Sequence, residues 1–127
     1  MRKEAFIAAA VFAALSSAIP TGASGESRKI EIRAVEWELA PGLRTEAWTY
    51  GGTVPGAPVE TRVGEPLEIV VTNRLPVATN IHWHGLVVPA DQDGPAVLIR
   101  PGETFTYRFT PRETGTYWYH PHLRPVM

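Results

Sequence analysis

The sequence predicts an all-β domain, an antiparallel Greek-key sandwich or barrel. Three observations carry this. Short runs with apolar side chains at every second position recur, as in Phe105, Tyr107 and Phe109. The 12 prolines and 11 glycines are dispersed among those runs, which suits strands joined by turns. After the first residues no segment combines a helical apolar period with helix start and stop signals.

The 127 residues suffice for one domain and not two. Twelve basic and 13 acidic residues give a formal net charge of −1. That balance offers no basic face for nucleic acid or an anionic membrane. Cysteine is absent, which excludes disulfides and thiolate metal ligands.

Residues 1–24 read as a secretory signal peptide. Met1-Arg2-Lys3 is a basic start, Ala5 to Leu15 is apolar, and the small Ser16, Ser17 and Ala18 follow. Cleavage fits after Ala18 or near Ala23. The apolar run is short for a membrane span, so an uncleaved anchor is the weaker reading. The sequence therefore predicts an exported domain over residues 25–127, periplasmic or secreted, with no membrane attachment after cleavage.

Strands then follow in order. Ile30, Ile32 and Val35 open the first, extended by Trp37 and Leu39 to the Pro41-Gly42 turn. Leu43 to Tyr50 forms a second, ended by Gly51-Gly52. Val54-Pro55-Gly56-Ala57-Pro58 is a stiff extended connector, since each proline disfavours helical geometry in the residue before it. Val59–Val63 and Leu67–Thr72 read as strands around Gly64-Glu65-Pro66, the latter apolar enough to be central. Thr79–Val88 is a strand, Pro89–Pro95 a polar loop, Thr104–Thr110 an alternating strand and Gly115–His120 the last.

All four histidines fall in two pairs, His82-Trp83-His84 and His120-Pro121-His122. On a strand the outer members of such a triplet share a face. Two such strands brought face to face would present four imidazoles to one small volume. A single pair could equally be edge histidines bonded to water. Two pairs, each among aromatic residues and with no histidine left over, point to metal. Gly85 would leave room beside the ligands, Trp83 would face the core, and Trp118 would share the side of His120. Zinc, copper, iron and nickel all accept imidazole, and copper stands modestly ahead of zinc for an all-nitrogen set.

The runs Asn80-Ile81-His82-Trp83-His84-Gly85-Leu86, Asp93-Gly94-Pro95, Pro101 to Phe109, and Gly115 to His122 resemble the first cupredoxin (plastocyanin-like) domain of a multicopper oxidase. Val54-Pro55-Gly56-Ala57-Pro58 and Asn73-Arg74-Leu75-Pro76 resemble the same domain. The resemblance implies a cupredoxin-like fold and copper as cofactor. His82 would serve the type 2 copper, and His84, His120 and His122 the type 3 pair. Asp93 would lie behind the ligands and help protons reach oxygen. In that family four more histidines, and the cysteine of a type 1 copper, come from a last domain. This chain has neither, and the closing strand of the domain is also unaccounted for. An open strand position invites pairing with another chain.

Three functions compete. The first, favoured by residue identity, is one domain of an oxygen-reducing multicopper oxidase, holding half of a trinuclear cluster and inactive alone. The second is a stand-alone extracytoplasmic copper-binding module. The third is one chain of a split oxidase, completed by a partner cupredoxin.

Overall fold

In the computed structural model the described residues are 28–123; the predicted signal segment lies outside them. Six strands form: β1 Arg28–Ala40, β2 Leu43–Tyr50, β3 Leu67–Asn73, β4 His82–His84, β5 Thr104–Phe109 and β6 Trp118–His120. Two single-turn 3₁₀ segments, Ala90–Gln92 and Gly94–Ala96, lie between β4 and β5. Among the described residues no helix is long and apolar enough to cross a membrane.

The strands make two sheets. One is four-stranded in the order β2-β1-β3-β5, and the other is the two-stranded ribbon β4-β6. Leu67, Ile69 and Val71 of β3 are buried between β1 and β5, as their apolar run predicts for a central strand. The predicted antiparallel arrangement holds for β1–β2, β3–β5 and β4–β6. It fails for β1–β3, which pair in parallel from Arg28↔Ile69 to Ile32↔Asn73. The β2 hairpin and the long connector from Gly51 to Pro66 return the chain in the direction of β1.

The layers meet through Trp83. It leaves β4 on the face opposite the histidines, and its ring packs on Tyr107 at 5.4 Å and Phe109 at 5.2 Å, both from β5. Ile32, Ile69, Val71, Ile81 and Ile99 belong to the same buried cluster. The apolar alternation of β5 is thus spent on one interface, with Tyr107 fully buried.

Three sequence boundaries are corrected. Val59–Val63 is not a strand: both edges of β3 are taken by β1 and β5, and Pro58 and Pro66 lack donors at its ends. The strand predicted over Thr79–Val88 shrinks to His82–His84, with Thr79 bridging Ile99 before it. Gly85 at φ +85° turns the chain out of β4, a conformation that favours glycine, and Leu86 N–H closes the turn on Trp83 O at 3.1 Å. The last strand is likewise shorter, Trp118–His120.

Candidate metal centre

The antiparallel β4–β6 register places His82 opposite His120, Trp83 opposite Tyr119 and His84 opposite Trp118. The period of two then turns His82, His84, Trp118 and His120 to one face, and Trp83 to the core. The two histidine pairs stand side by side on one ribbon, rather than face to face from separate layers, because their strands hydrogen-bond to each other.

One nitrogen from each of His82, His84 and His120 lies within 4.8 Å of the others. The His84 Nδ1 and His120 Nε2 atoms are 3.2 Å apart. The fourth histidine stands nearby: His122 has its ring centroid 5.1 Å from that of His82 and 6.0 Å from that of His120, but its nitrogens fall outside the close group of three.

Two of the rings are held through Nδ1. His82 Nδ1 meets Asp93 Oδ1 at 2.7 Å, and His120 Nδ1 meets the Pro121 carbonyl at 2.8 Å. A ring that donates from Nδ1 keeps its Nε2 lone pair for a metal. The same Asp93 oxygen accepts the Trp83 N–H at 3.2 Å. Burial raises the Asp93 pKa, but the His82 bond and the Trp83 and Gly94 backbone bonds outweigh it and hold the group below its ordinary value. An anionic Asp93 is the acceptor that His82 needs.

The Asp93-Gly94 turn is pressed onto β4. A Cβ on Gly94 would lie 2.9 Å from His82 Cβ and 3.0 Å from His82 N, so only glycine lets the loop approach this closely. On the outer side, Trp118 stacks on His120 at 4.2 Å and tilts over His84 at 4.6 Å. It walls the site while remaining 58% exposed.

Beneath the site, Tyr119 donates to Ala57 O at 2.8 Å, tying β6 to the proline-rich connector. Gly56 makes room, since a Cβ there would lie 2.5 Å from the Tyr119 hydroxyl. Sequence reasoning gave no role to Asn80, Gly94 or Gly56. Nothing in their spacing signals one, because each acts across long loops.

Three imidazoles, two of them with their tautomer set and with no thiolate or thioether among the described residues, form a donor set suited to copper or another imidazole-binding cation. A family model described as multicopper oxidase matches residues 31–125. The chain belongs to the multicopper oxidase family. It is 49% identical over 78 residues to the multicopper oxidase MmcO of Mycobacterium tuberculosis, covering 59% of this chain and 16% of that protein. It is 39% identical over 107 residues to a copper resistance protein A homolog of Pseudomonas syringae pv. tomato, covering 81% and 18%. A multicopper oxidase from Campylobacter jejuni, described as a metallo-oxidase, superposes with a TM-score of 0.68 at 48% identity, over 74% of this chain and 21% of that one. The multicopper oxidase of Pseudomonas thermotolerans gives 0.74 at 38%, over 77% and 25%. The chain thus spans only 16–18% of the length of the curated relatives it matches. The fold is that of a cupredoxin-like multicopper oxidase domain with a partial second layer among the described residues, and copper is the cofactor its relatives support.

Proposed function

We propose that this multicopper oxidase domain contributes His82, His84, His120 and His122 as half of the imidazole ligands of an oxygen-reducing trinuclear copper cluster, and does not turn over alone. The close group of nitrogens from His82, His84 and His120, with His82 oriented by Asp93, is the observation that supports this reading. In it His82 serves the type 2 position and His84, His120 and His122 the type 3 positions. Copper held there would pass on to oxygen the electrons taken from a reducing substrate elsewhere in the complete enzyme.

The protein's own groups have simpler tasks. Asp93 keeps a proton on His82 Nδ1 and stands close enough to the site to relay protons. Trp118 covers a face of His120 and of His84. The other half of the ligands, and the entry point for electrons, belong to a second cupredoxin domain or chain. The reading includes export, with residues 1–24 as signal and 25–127 as the domain.

The test is a copper titration of the full chain, followed by electron paramagnetic resonance. Nitrogen hyperfine structure that disappears in His82→Ala and His120→Ala is the expected result. A chain that binds no copper, or whose spectrum ignores both substitutions, would falsify the reading. Copper-dependent phenol oxidation well above that of free copper would instead refute inactivity alone. Stable, tight binding by a lone monomer would favour the stand-alone module, and co-purification with a cysteine-bearing cupredoxin would favour the split oxidase.

A further inference from the structure

Asn80 is fully buried, two residues before the first metal-site histidine. Its side chain touches both halves of the site. Nδ2 donates to Gly94 O and, at 3.2 Å, to Val97 O. Oδ1 accepts the His122 backbone N–H at 2.7 Å. Its own carbonyl accepts the Tyr50 hydroxyl at 3.1 Å. The two ends of the amide agree on one orientation: carbonyls need the nitrogen and an N–H needs the oxygen.

The need for such a residue follows from the ladder. Register fixes His82 against His120, and then β6 ends. Pro121 has no N–H to offer, so His122 lies past the reach of the sheet. Its described backbone hydrogen bond goes to Asn80. On the other side Gly94 belongs to the turn that carries Asp93, and Asp93 sets the His82 ring. One buried amide therefore joins the backbone of the fourth histidine to the loop that orients the first.

We propose that Asn80 is a positioning residue that locks the two histidine motifs to one another, so that His122 and the Asp93-oriented His82 hold a fixed geometry before any metal arrives. This rests on the proposed copper function for its purpose, but not for its geometry. The role requires an amide. Aspartate has the same shape yet would turn a carboxylate oxygen toward the carbonyls of Gly94 and Val97, losing both donors and adding repulsion. A buried polar network missing one member fails as a unit.

The test compares the full chain with its Asn80→Asp variant, and with Val71→Ala as a core control away from the site. Copper affinity is expected to fall about 10–100-fold in Asn80→Asp, the range for partners that orient metal-binding histidines, with an altered nitrogen hyperfine pattern. The control is expected to keep both the affinity and the pattern. Two readouts need neither copper nor a variant that folds. In the metal-free wild-type chain the His122 amide is expected to exchange more than about tenfold slower than that of the exposed loop residue Thr116, and the ring nitrogens of His82 are expected to show one tautomer. Unchanged affinity and spectrum in Asn80→Asp, equal losses in the control, or a fast-exchanging wild-type His122 amide would each overturn the assignment. Absence of copper binding by the wild-type chain would refute the proposed function, and the metal-free readouts would still decide the role of Asn80.

Discussion

Asp93 Oδ1 lies 2.7 Å from His82 Nδ1, and this contact determines which imidazole nitrogen His82 has free. With Nδ1 donating, the lone pair sits on Nε2, which is left free for a metal. Asp93→Ala removes the acceptor and lets both tautomers populate. Copper affinity is expected to drop about 10–100-fold. Nitrogen chemical shifts of the His82 ring should change from one tautomer to a mixture. A single unchanged tautomer in the variant would show that something other than Asp93 orients the ring.

The histidines should not be equivalent in the chain by itself. His82, His84 and His120 bring their nitrogens within 4.8 Å, and His122 stands outside that group. Substitution of any of the three by alanine is expected to cost more than the outer partners do, at least about a hundredfold in copper affinity. His122→Ala is expected to cost less than about tenfold on the same scale. Isothermal titration of the four variants checks the order. Equal losses at all four positions would mean that His122 swings in on binding.

Three phenols, Tyr107 buried and Tyr50 and Tyr119 partly buried, give the fold an alkaline limit. Burial, then the neighbouring phenols Tyr107 and Tyr119, push the Tyr50 hydroxyl far above its ordinary value. Tyr107 is raised chiefly by burial, against a lowering by the Ile81 N–H it accepts, with a lesser rise from the Asp93 charge. Tyr119 is raised by burial alone. In the unfolded chain these groups ionise near pH ~10. Above that pH the native state retains protons that the unfolded state has lost, so stability falls as pH rises, and below it these groups add no slope. With Tyr50 and Tyr107 both held neutral, the loss approaches about 2.7 kcal/mol per pH unit. Urea midpoints should be flat from neutral to mildly alkaline pH and then decline. Tyr107→Phe should soften the decline while costing about 1–3 kcal/mol at neutral pH, because it leaves the buried Ile81 N–H unpaired. An undiminished alkaline slope in that variant would rule out Tyr107 as a source.

Much of this was legible in the sequence, and for definite reasons. β2 was readable to the residue, because the Pro41-Gly42 and Gly51-Gly52 turns bracket it. The alternation of Phe105, Tyr107 and Phe109 announced β5 and its buried face. The period of two put His82 and His84 on one face and Trp83 on the other. The parallel β1–β3 pairing was not legible, because a local pattern does not record which strand lies alongside. Nor were the short lengths of β4 and β6, which depend on the turn at Gly85 and on Pro121. Asn80 was visible as a residue but not as a clamp, since its partners lie 14 and 42 positions away.

Gly94 separates crowding at the site from ordinary backbone preference. Its missing Cβ would collide with the His82 backbone and Cβ at 2.9 to 3.0 Å, and no flexible side-chain end is there to give way. Gly42 has φ +76° but open space around it. Alanine at Gly42 therefore costs only conformational strain, of order 1–3 kcal/mol, and should leave copper affinity unchanged. Alanine at Gly94 must push the loop off β4, with an overpacking cost of about 1–3 kcal/mol. That displacement carries Asp93 away from His82 and loosens the Asn80 bond to Gly94 O. Gly94→Ala should thus resemble Asp93→Ala in copper affinity and in the His82 tautomer, at a stability loss similar to that of Gly42→Ala. If the two glycine variants lose stability alike and both keep wild-type affinity, the close approach of the loop to β4 does not hold the imidazole in place.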